Sequence, residues 1–225
     1  NKGPNTITIQ ARDAAGNEKA VLVNVTYAPM ALTLTRPAEG ALLNTSAVTV
    51  TGAIDGQLPA VLTVNGVFVT PAPDGSFTCG LTLTDGKHVI IVMATGYDGH
   101  ELVQTRNVTV DTVPPEPFTV TVDPEGWTNN NRPVFTFAAA DVTSGVDHYE
   151  IRIANGAWHG PVTSPYRFPE PVPDGEHMVE VKAVDKAGWE RISSPVSVKI
   201  DTIPPDPPAI VRVIPGNGQI EVVWK

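Results

Sequence analysis

The residues with the clearest chemical potential in this sequence are aspartates at turns and strand ends. They occupy an Asp-Gly pair, the end of an alternating run and three turn-forming stretches: Asp85, Asp111, Asp141, Asp147 and Asp185. Carboxylates that converge from separate segments repel one another unless a cation lies between them, and oxygen ligands favour calcium. The competing interpretation is that each aspartate only caps its own turn. Which one applies depends on the elements that position them.

Residues typical of catalysis show no recognisable arrangement. The five histidines are scattered singly, and the sequence has neither a nucleophile elbow nor a phosphate-binding glycine loop. His88 and His177 follow equivalent Asp-Gly pairs, which indicates a structural role that is repeated along the chain. Cys79 is the only cysteine and lies in a strand-like stretch, which predicts a buried, inert thiol. We predict no enzymatic activity, and no cofactor apart from the calcium candidate.

Five aromatic residues fall in or beside predicted loops: Trp127, Trp158, Tyr166, Phe168 and Trp189. Flat rings with polar neighbours can stack on sugars, so a carbohydrate-binding module is one interpretation. The other is that Tyr166 and Phe168 belong to a core and that the tryptophans cover the ends of a sandwich. We favour packing, because this is the ordinary role of aromatic side chains.

The elements that position these residues repeat along the chain. A hairpin signature occurs at 5–27, 85–110 and 174–200, each time as two alternating stretches around a turn. The second and third copies lead into Asp-Thr-Val-Pro-Pro at 111–115 and Asp-Thr-Ile-Pro-Pro at 201–205. Paired prolines fix φ and lack backbone donors, so the strand must end there and continue as a stiff linker.

The intervals between these signals hold enough short strands for complete β-sandwiches. Asn65-Gly66 between two apolar runs is a strong signal for a two-residue hairpin turn. Gly (19) and Pro (22) are abundant, and no amphipathic helical stretch of useful length occurs. The sequence therefore predicts an all-β fold of tandem β-sandwiches joined by short Pro-Pro linkers.

Two stretches carry a family resemblance at the start of the chain. Residues 30–111, with Val64-Asn65-Gly66, Asp74-Gly75-Ser76-Phe77 and the closing hairpin, resemble a bacterial immunoglobulin-like domain of the type also attached to glucodextranase. Residues 1–29, with Asp13-Ala14-Ala15-Gly16-Asn17, look like the last two strands of another such domain.

The resemblance continues to the end of the chain. Residues 116–201 resemble a second bacterial immunoglobulin-like type, through Ser144-Gly145-Val146-Asp147 and Ala183-Val184-Asp185-Lys186-Ala187-Gly188. The last stretch, with Gly216-Asn217-Gly218-Gln219 and Trp224, is similar to the opening of a fibronectin type III domain. The predicted domains are a preceding domain's C-terminal hairpin, two complete immunoglobulin-like sandwiches and the first strands of a fourth domain: 1–29, 30–113, 114–203 and 204–225.

The resemblance implies a long secreted or surface protein of bacteria, in which such repeats act as stalk and spacer. We predict a non-catalytic structural segment that is extracellular or at the cell surface. A carbohydrate-binding or adhesive module, or an accessory domain of a secreted polysaccharide-degrading enzyme, are the alternatives. The predicted partners are neighbouring immunoglobulin-like domains of the same protein, with other subunits or cell-surface glycans as further candidates.

Charge and hydropathy exclude two other classes of partner. The net charge of −9 comes without a cluster of Lys and Arg, so a nucleic-acid surface is not predicted. No run of about 18 apolar residues occurs that would insert into a membrane.

The strand order of such a sandwich sharpens the calcium prediction. The end of the last strand lies beside the loop between the fifth and sixth strands, which places Asp85 near Asp111. Similar bacterial repeats bind calcium at such joints, and the candidate ligands are Asp85, Asp111, Asp141 and Asp185. The preceding joint, Ala28-Pro29, has no aspartate, and the turn facing it carries a glycine where Asp185 stands.

The two end stretches, 5–27 and 208–224, predict hairpins whose apolar face needs a cover, since an isolated hairpin is marginal in water. We expect this cover to come from strands outside the given sequence. Strand donation between subunits and docking on the first full domain are the alternatives.

Overall fold

A computed structural model describes residues 3–224, without the side chain of Tyr27, and confirms the all-β fold. No helix occurs in that range, and so none that is long and apolar enough to cross a membrane. The strands, in chain order, are β1 (Gly3–Arg12), β2 (Glu18–Tyr27), β3 (Ala31–Arg36), β4 (Ala41–Leu43), β5 (Ala47–Asp55), β6 (Val61–Val64), β7 (Val67–Phe68), β8 (Ser76–Thr82), β9 (Gly86–Thr95), β10 (Glu101–Val110), β11 (Val120–Asp123), β12 (Trp127–Thr128), β13 (Val134–Phe137), β14 (Val146–Ile153), β15 (His159–Val162), β16 (Gly175–Asp185), β17 (Glu190–Ile192), β18 (Val196–Ile200), β19 (Ile210–Pro215) and β20 (Ile220–Trp224).

The chain divides into two compact units. The segments of the first are Asn1–Glu116, Ala140–Asp147 and Val184–Arg191, and those of the second are Pro117–Ala139, His148–Ala183 and Ile192–Lys225. Each unit has its own hydrophobic core. These units are defined by contacts, and the domain limits drawn from the sequence stay a prediction.

The core of the first unit is built by two sheets. One has the order β3-β5-β8, and the other has the order β4-β10-β9-β6-β7 with β4 parallel to β10. Alternate residues of β9, namely Ile90, Val92 and Ala94, are fully buried, whereas Val89 and Ile91 are exposed. This period of two is what the alternating apolar pattern of the sequence requires, because successive side chains of a strand point to opposite faces.

The hairpin between β6 and β7 forms as the sequence predicts. Asn65 has φ 48° and Gly66 has φ 80°, so both central residues of the turn are left-handed, as in a type I′ turn. The side chain of Asn65 also accepts a hydrogen bond from the Ile91 N–H at 2.7 Å. The turn is thereby fixed to the neighbouring strand β9.

The sequence repeat of Asp-Gly and Asp-Thr corresponds to a repeated structural unit. Asp85 Oδ1 accepts hydrogen bonds from the Thr112 N–H at 2.8 Å and from its hydroxyl at 2.9 Å. Asp174 Oδ1 accepts the same pair from Thr202 at 3.0 and 2.9 Å. Each aspartate therefore fixes the chain just after the closing strand of its hairpin.

The second unit has the same plan with aromatic filling. Its sheets have the orders β11-β13 and β12-β18-β16-β14-β15, and β17 pairs with β16. Phe135 is fully buried, and its ring lies 5.6 Å from that of Phe168, which in turn lies 5.4 Å from that of Tyr166. The prediction that Tyr166 and Phe168 belong to a core is confirmed.

The two predicted end hairpins are present as β1–β2 and β19–β20. Their apolar side chains are exposed: Ile9 is 59% and Val23 is 38% accessible in the first, and Ile220 is 72% accessible in the second.

Candidate metal centre

Three of the aspartates singled out in the sequence meet in the first unit. Asp111 directly follows β10, Asp141 lies in the turn before β14, and Asp185 is the last residue of β16. One carboxylate oxygen of each lies within 4.8 Å of those of the other two. Three separate segments of the unit therefore direct an acidic group to one point.

Backbone hydrogen bonds hold these three residues in place. The Asp111 N–H donates to Leu43 O at 2.8 Å, which extends the pairing of β4 with β10 by one residue. The Asp185 N–H donates to Trp189 O at 3.0 Å and closes a tight turn. Asp141 Oδ1 accepts the N–H groups of Ser144 and Gly145, both at 2.8 Å, and so orders its own turn.

The surroundings of the three carboxylates are unusual for free acids. Asp111 is completely buried, Asp185 is 2% exposed, and Asp141 is half-buried. The Oδ2 atoms of Asp111 and Asp185 are buried and have no hydrogen-bond partner among the described residues. In that same part of the chain, no Lys or Arg forms an ion pair with any of the three. A buried, unpaired charge is costly, so this cluster requires a compensating group.

Titration of Asp185 reflects the same environment. Burial raises the pKa of the Asp185 carboxyl above its ordinary value, and the nearby Asp111 and Asp141 carboxylates raise this pKa further. The hydrogen bond from the Trp189 N–H opposes the shift without cancelling it. Burial and the neighbouring carboxylates therefore both disfavour the charged form of Asp185.

A hard cation fits this donor set. The cluster offers carboxylate oxygens only, and two of them are buried and unpartnered, whereas thiolate or imidazole ligands for softer metals are not part of it. Calcium takes carboxylate and backbone oxygens in a flexible shell, while magnesium retains most of its water. The residues that would hold the ion are Asp111, Asp141 and Asp185.

Trp189, which the sequence placed among sugar-binding candidates, contacts two of the three aspartates. Its N–H donates to Asp185 Oδ1 at 2.9 Å, and its indole Nε1–H donates to Asp111 O at 2.9 Å. Trp189 thus links the two aspartates, with its backbone N–H on the Asp185 carboxylate and its indole on the main chain at Asp111. The turn Asp185–Trp189 was visible in the sequence, but the contact with a residue 78 positions earlier was not.

The remaining sequence candidates lie outside the cluster. The Asp85 carboxylate is occupied by Thr112, as described above, and Asp147 is exposed. Neither joins the three-carboxylate group.

The histidine and cysteine interpretations agree with the structure. His88 Nε2 lies 2.7 Å from Thr84 O, and His177 Nε2 lies 2.9 Å from Pro173 O, so the two repeat positions make the same backbone contact. Cys79 is buried in the first core, and burial raises the pKa of its thiol. The thiol is therefore a packing group.

The ring of Trp158 is occupied by neighbouring cations. The Arg152 guanidinium lies 4.5 Å and the Lys182 ammonium 5.0 Å from the ring centroid. The same two cations pair with Glu180 and Glu150, each at 2.6 Å. These contacts favour packing over sugar stacking for Trp158.

Two family models match the chain one after the other. Residues 30–112 match glucodextranase, domain B, and residues 119–202 match a bacterial Ig-like domain. The two matched regions lie in tandem, and each covers less than half of the chain. No curated protein is a significant match to its sequence.

Solved structures with a related architecture come from modular and adhesive proteins. The fibronectin(III)-like modules of Clostridium thermocellum CbhA are 19% identical, with 76% of this chain and 93% of that chain covered and a TM-score of 0.43. A tetra-tandem repeat from the extending region of a large adhesion protein is 20% identical, with 89% and 57% covered and a TM-score of 0.36. A 1.5-MDa bacterial ice-binding adhesin is 15% identical, with 79% and 67% covered and a TM-score of 0.38.

Proposed function

We propose that these tandem immunoglobulin-like domains form a non-catalytic stalk or spacer segment of a large extracellular bacterial surface protein. We further propose that a calcium ion bound by Asp111, Asp141 and Asp185 stabilises the first unit. The observation that carries the calcium proposal is the pair of buried, unpartnered oxygens, Asp111 Oδ2 and Asp185 Oδ2.

The structural role is supported by how the chain uses its polar and aromatic groups. The repeated Asp-Thr contacts, the repeated histidine contacts and the aromatic clusters all serve packing or turn formation. The match to a bacterial Ig-like domain supports an extracellular location. The name of the other family belongs to an enzyme, and an accessory role in such an enzyme is the alternative.

The turn-capping explanation of the aspartates can be compared within the chain. Asp13 occupies the same turn as Asp185, since its N–H donates to Asn17 O at 3.0 Å. Both oxygens of Asp13 are hydrogen-bonded, and the residue is exposed. Gly96 closes a third such turn through His100 O at 2.8 Å, and there Asp98 Oδ1 accepts the His100 N–H at 3.0 Å. A capping role therefore explains Asp13, but it leaves the second oxygen of Asp185 without a function.

The same comparison holds for Asp111. Asp201 is its counterpart after β18, and its N–H donates to Thr128 O at 2.9 Å as Asp111 does to Leu43 O. In both residues, Oδ1 accepts the N–H two positions later, at 3.2 Å for Asp111 and 3.1 Å for Asp201. Asp201 is exposed and Asp111 is completely buried. Burial of the carboxylate thus distinguishes the candidate ligand from its structural twin.

Thermal unfolding of the whole chain tests the calcium proposal. A ligand present at 100 times its Kd stabilises the folded state by about 2.7 kcal/mol, so we expect chelator to lower the Tm of the first transition by roughly 5 °C or more. The Asp13→Asn variant should respond to chelator as the wild type does, whereas Asp185→Asn should lose the response. An unchanged Tm in chelator would contradict calcium binding.

Binding to polysaccharides tests the spacer role separately. We expect no saturable binding of the chain on a glycan array, because the Trp158 ring is already occupied by two cations. Saturable sugar binding that is lost in Trp158→Ala would favour the carbohydrate-binding alternative over the spacer. This result would leave the calcium site unaffected.

A further inference from the structure

On the outer face of the five-stranded sheet in the first unit, exposed apolar residues lie beside outward polar ones such as Thr105 and Asn107. The inward residues of β6, β9 and β10 are buried in the core, so the residues between them point outward. The register aligns Met93 with Val103 on one side and with Thr63 on the other, and Thr63 in turn with Phe68. We call the outward apolar residues of these strands the apolar face: Val61, Phe68, Val89, Ile91, Met93 and Val103.

These side chains are much more accessible than core residues. Phe68 is 80%, Val103 53%, Val89 51% and Ile91 46% exposed. Together the residues of the apolar face form an exposed apolar patch, and patches of this kind on monomeric proteins are often functional.

The matching face of the second unit shows that the fold does not require apolar residues at these outward positions. The aligned repeats Asp85-Gly86 and Asp174-Gly175 place Glu180 at the position of Ile91 and Lys182 at that of Met93. There, Glu180 pairs with Arg152 and Lys182 with Glu150, each at 2.6 Å. One sheet therefore carries a charged network where the other is apolar.

Two opposite charges stand at the ends of the apolar face. Lys87 lies four residues before Ile91 on β9, and Glu101 pairs with Thr95, four residues after it. Both are exposed, and neither forms an ion pair within residues 3–224. Lys87 therefore marks one end of the face and Glu101, on the neighbouring strand β10, marks the other.

This arrangement is self-complementary. We propose that the apolar face binds the same face of a second copy of the chain, related by a two-fold axis that crosses the strands at Ile91. Such an axis brings Lys87 of each copy beside Glu101 of the other, whereas an axis along β9 would bring like charges together. Stacked sheets lie about 10 Å apart, a gap that the long Lys and Glu side chains can span.

The size of the contact predicts a weak dimer. A contact limited to one face of a small sandwich lies near the lower limit of about 1,200 Å² for specific interfaces. We therefore expect a weak dimer that forms only at high protein concentration.

Sedimentation equilibrium of the whole chain at about 10 to 500 µM tests this proposal. We expect a monomer–dimer equilibrium that Ile91→Glu weakens at least tenfold. The matched control is Ile192→Glu, because Ile192 is also 46% exposed but lies outside the apolar face. This control should dimerise as the wild type does. A chain that stays monomeric over the whole range, or a dimer that persists in Ile91→Glu, overturns the proposal.

Charge reversal tests the orientation of the two copies. Lys87→Glu and Glu101→Lys should each weaken the dimer about tenfold, because each places like charges together at both ends. The double variant should restore wild-type affinity, since it exchanges the two signs. Both positions are exposed, so folding should be preserved, and circular dichroism checks this. Failure of the double variant to restore the dimer overturns the two-fold arrangement.

Discussion

At the scale of single residues, the distinctive feature is a carboxylate that is not used by its own turn. Asp185 donates its N–H to Trp189 O and accepts the Trp189 N–H with Oδ1, which completes the turn. Its Oδ2 is left buried beside two other carboxylates. Without a cation, this buried oxygen destabilises the folded protein, whereas with a cation it serves as a ligand. The difference in stability between the two states can be measured.

The effect of Asp185→Asn on the free energy of unfolding should therefore have opposite signs with and without calcium. In chelator we expect it to be more stable than the wild type by about 1 kcal/mol, because the asparagine oxygen can still accept the Trp189 N–H while a buried charge is removed. In excess calcium it should be less stable, because a ligand is lost. Urea unfolding under both conditions measures this, and a variant that is destabilised equally in both would contradict the account.

The pH dependence in chelator follows from the raised pKa of Asp185. Since the folded-state pKa lies above the ordinary value of 3.8, the folded protein binds this proton more tightly than the unfolded chain does. The stability that the proton provides is present at low pH and is lost as the pH rises through the folded-state pKa. The advantage of Asp185→Asn over the wild type should therefore shrink as the pH falls.

At the scale of elements, turns with left-handed glycines set the register of the strands. Gly66 has φ 80° and Gly75 has φ 84°, both in the first unit. A Cβ at Gly75 would lie 2.0 Å from Ile54 O, whereas a Cβ at Gly66 would meet nothing within 4 Å. The two glycines share a left-handed φ but differ in the space around them.

Alanine at these two positions separates backbone strain from steric overlap. We expect Gly66→Ala to cost about 1 kcal/mol, which is the usual penalty for a positive φ. Gly75→Ala should cost about 3 kcal/mol, because the added methyl also displaces β5 at Ile54. Urea unfolding of the two variants provides the comparison, and equal losses would show that the contact at Ile54 O is relieved at little cost.

At the scale of the whole molecule, the sequence predicted the elements with a strong local signal. The hairpins, the Asn65-Gly66 turn and the all-β class follow from alternation and turn chemistry over short distances. Strands β4 and β12 were not predicted, because two or three residues are too few for a pattern and their partners, β10 and β18, are distant. Pairing alone defines such strands.

The sequence predicted which residue type forms the candidate site, but not which of the aspartates belong to it. The sequence named Asp111, Asp141 and Asp185 together with Asp85 and Asp147, because all five occupy turns or strand ends. Separating them required three-dimensional contacts, namely the bonds that occupy Asp85 and the indole that links Trp189 to Asp111. Burial of the Asp111 carboxylate was equally unpredictable, since its counterpart Asp201 differs only by Ile for Val in the Asp-Thr-x-Pro-Pro stretch and is exposed.

The most direct test of the central claim is the number of calcium ions bound per chain, measured by isothermal titration calorimetry. We expect one ion for the wild type and for the matched variants Asp201→Asn and Asp85→Asn, because neither changes the three-carboxylate group. Asp111→Asn should lower the affinity at least tenfold, since it removes a buried ligand charge. A wild-type chain that binds no calcium, or an Asp111→Asn variant that binds it as tightly as Asp201→Asn does, would contradict the account.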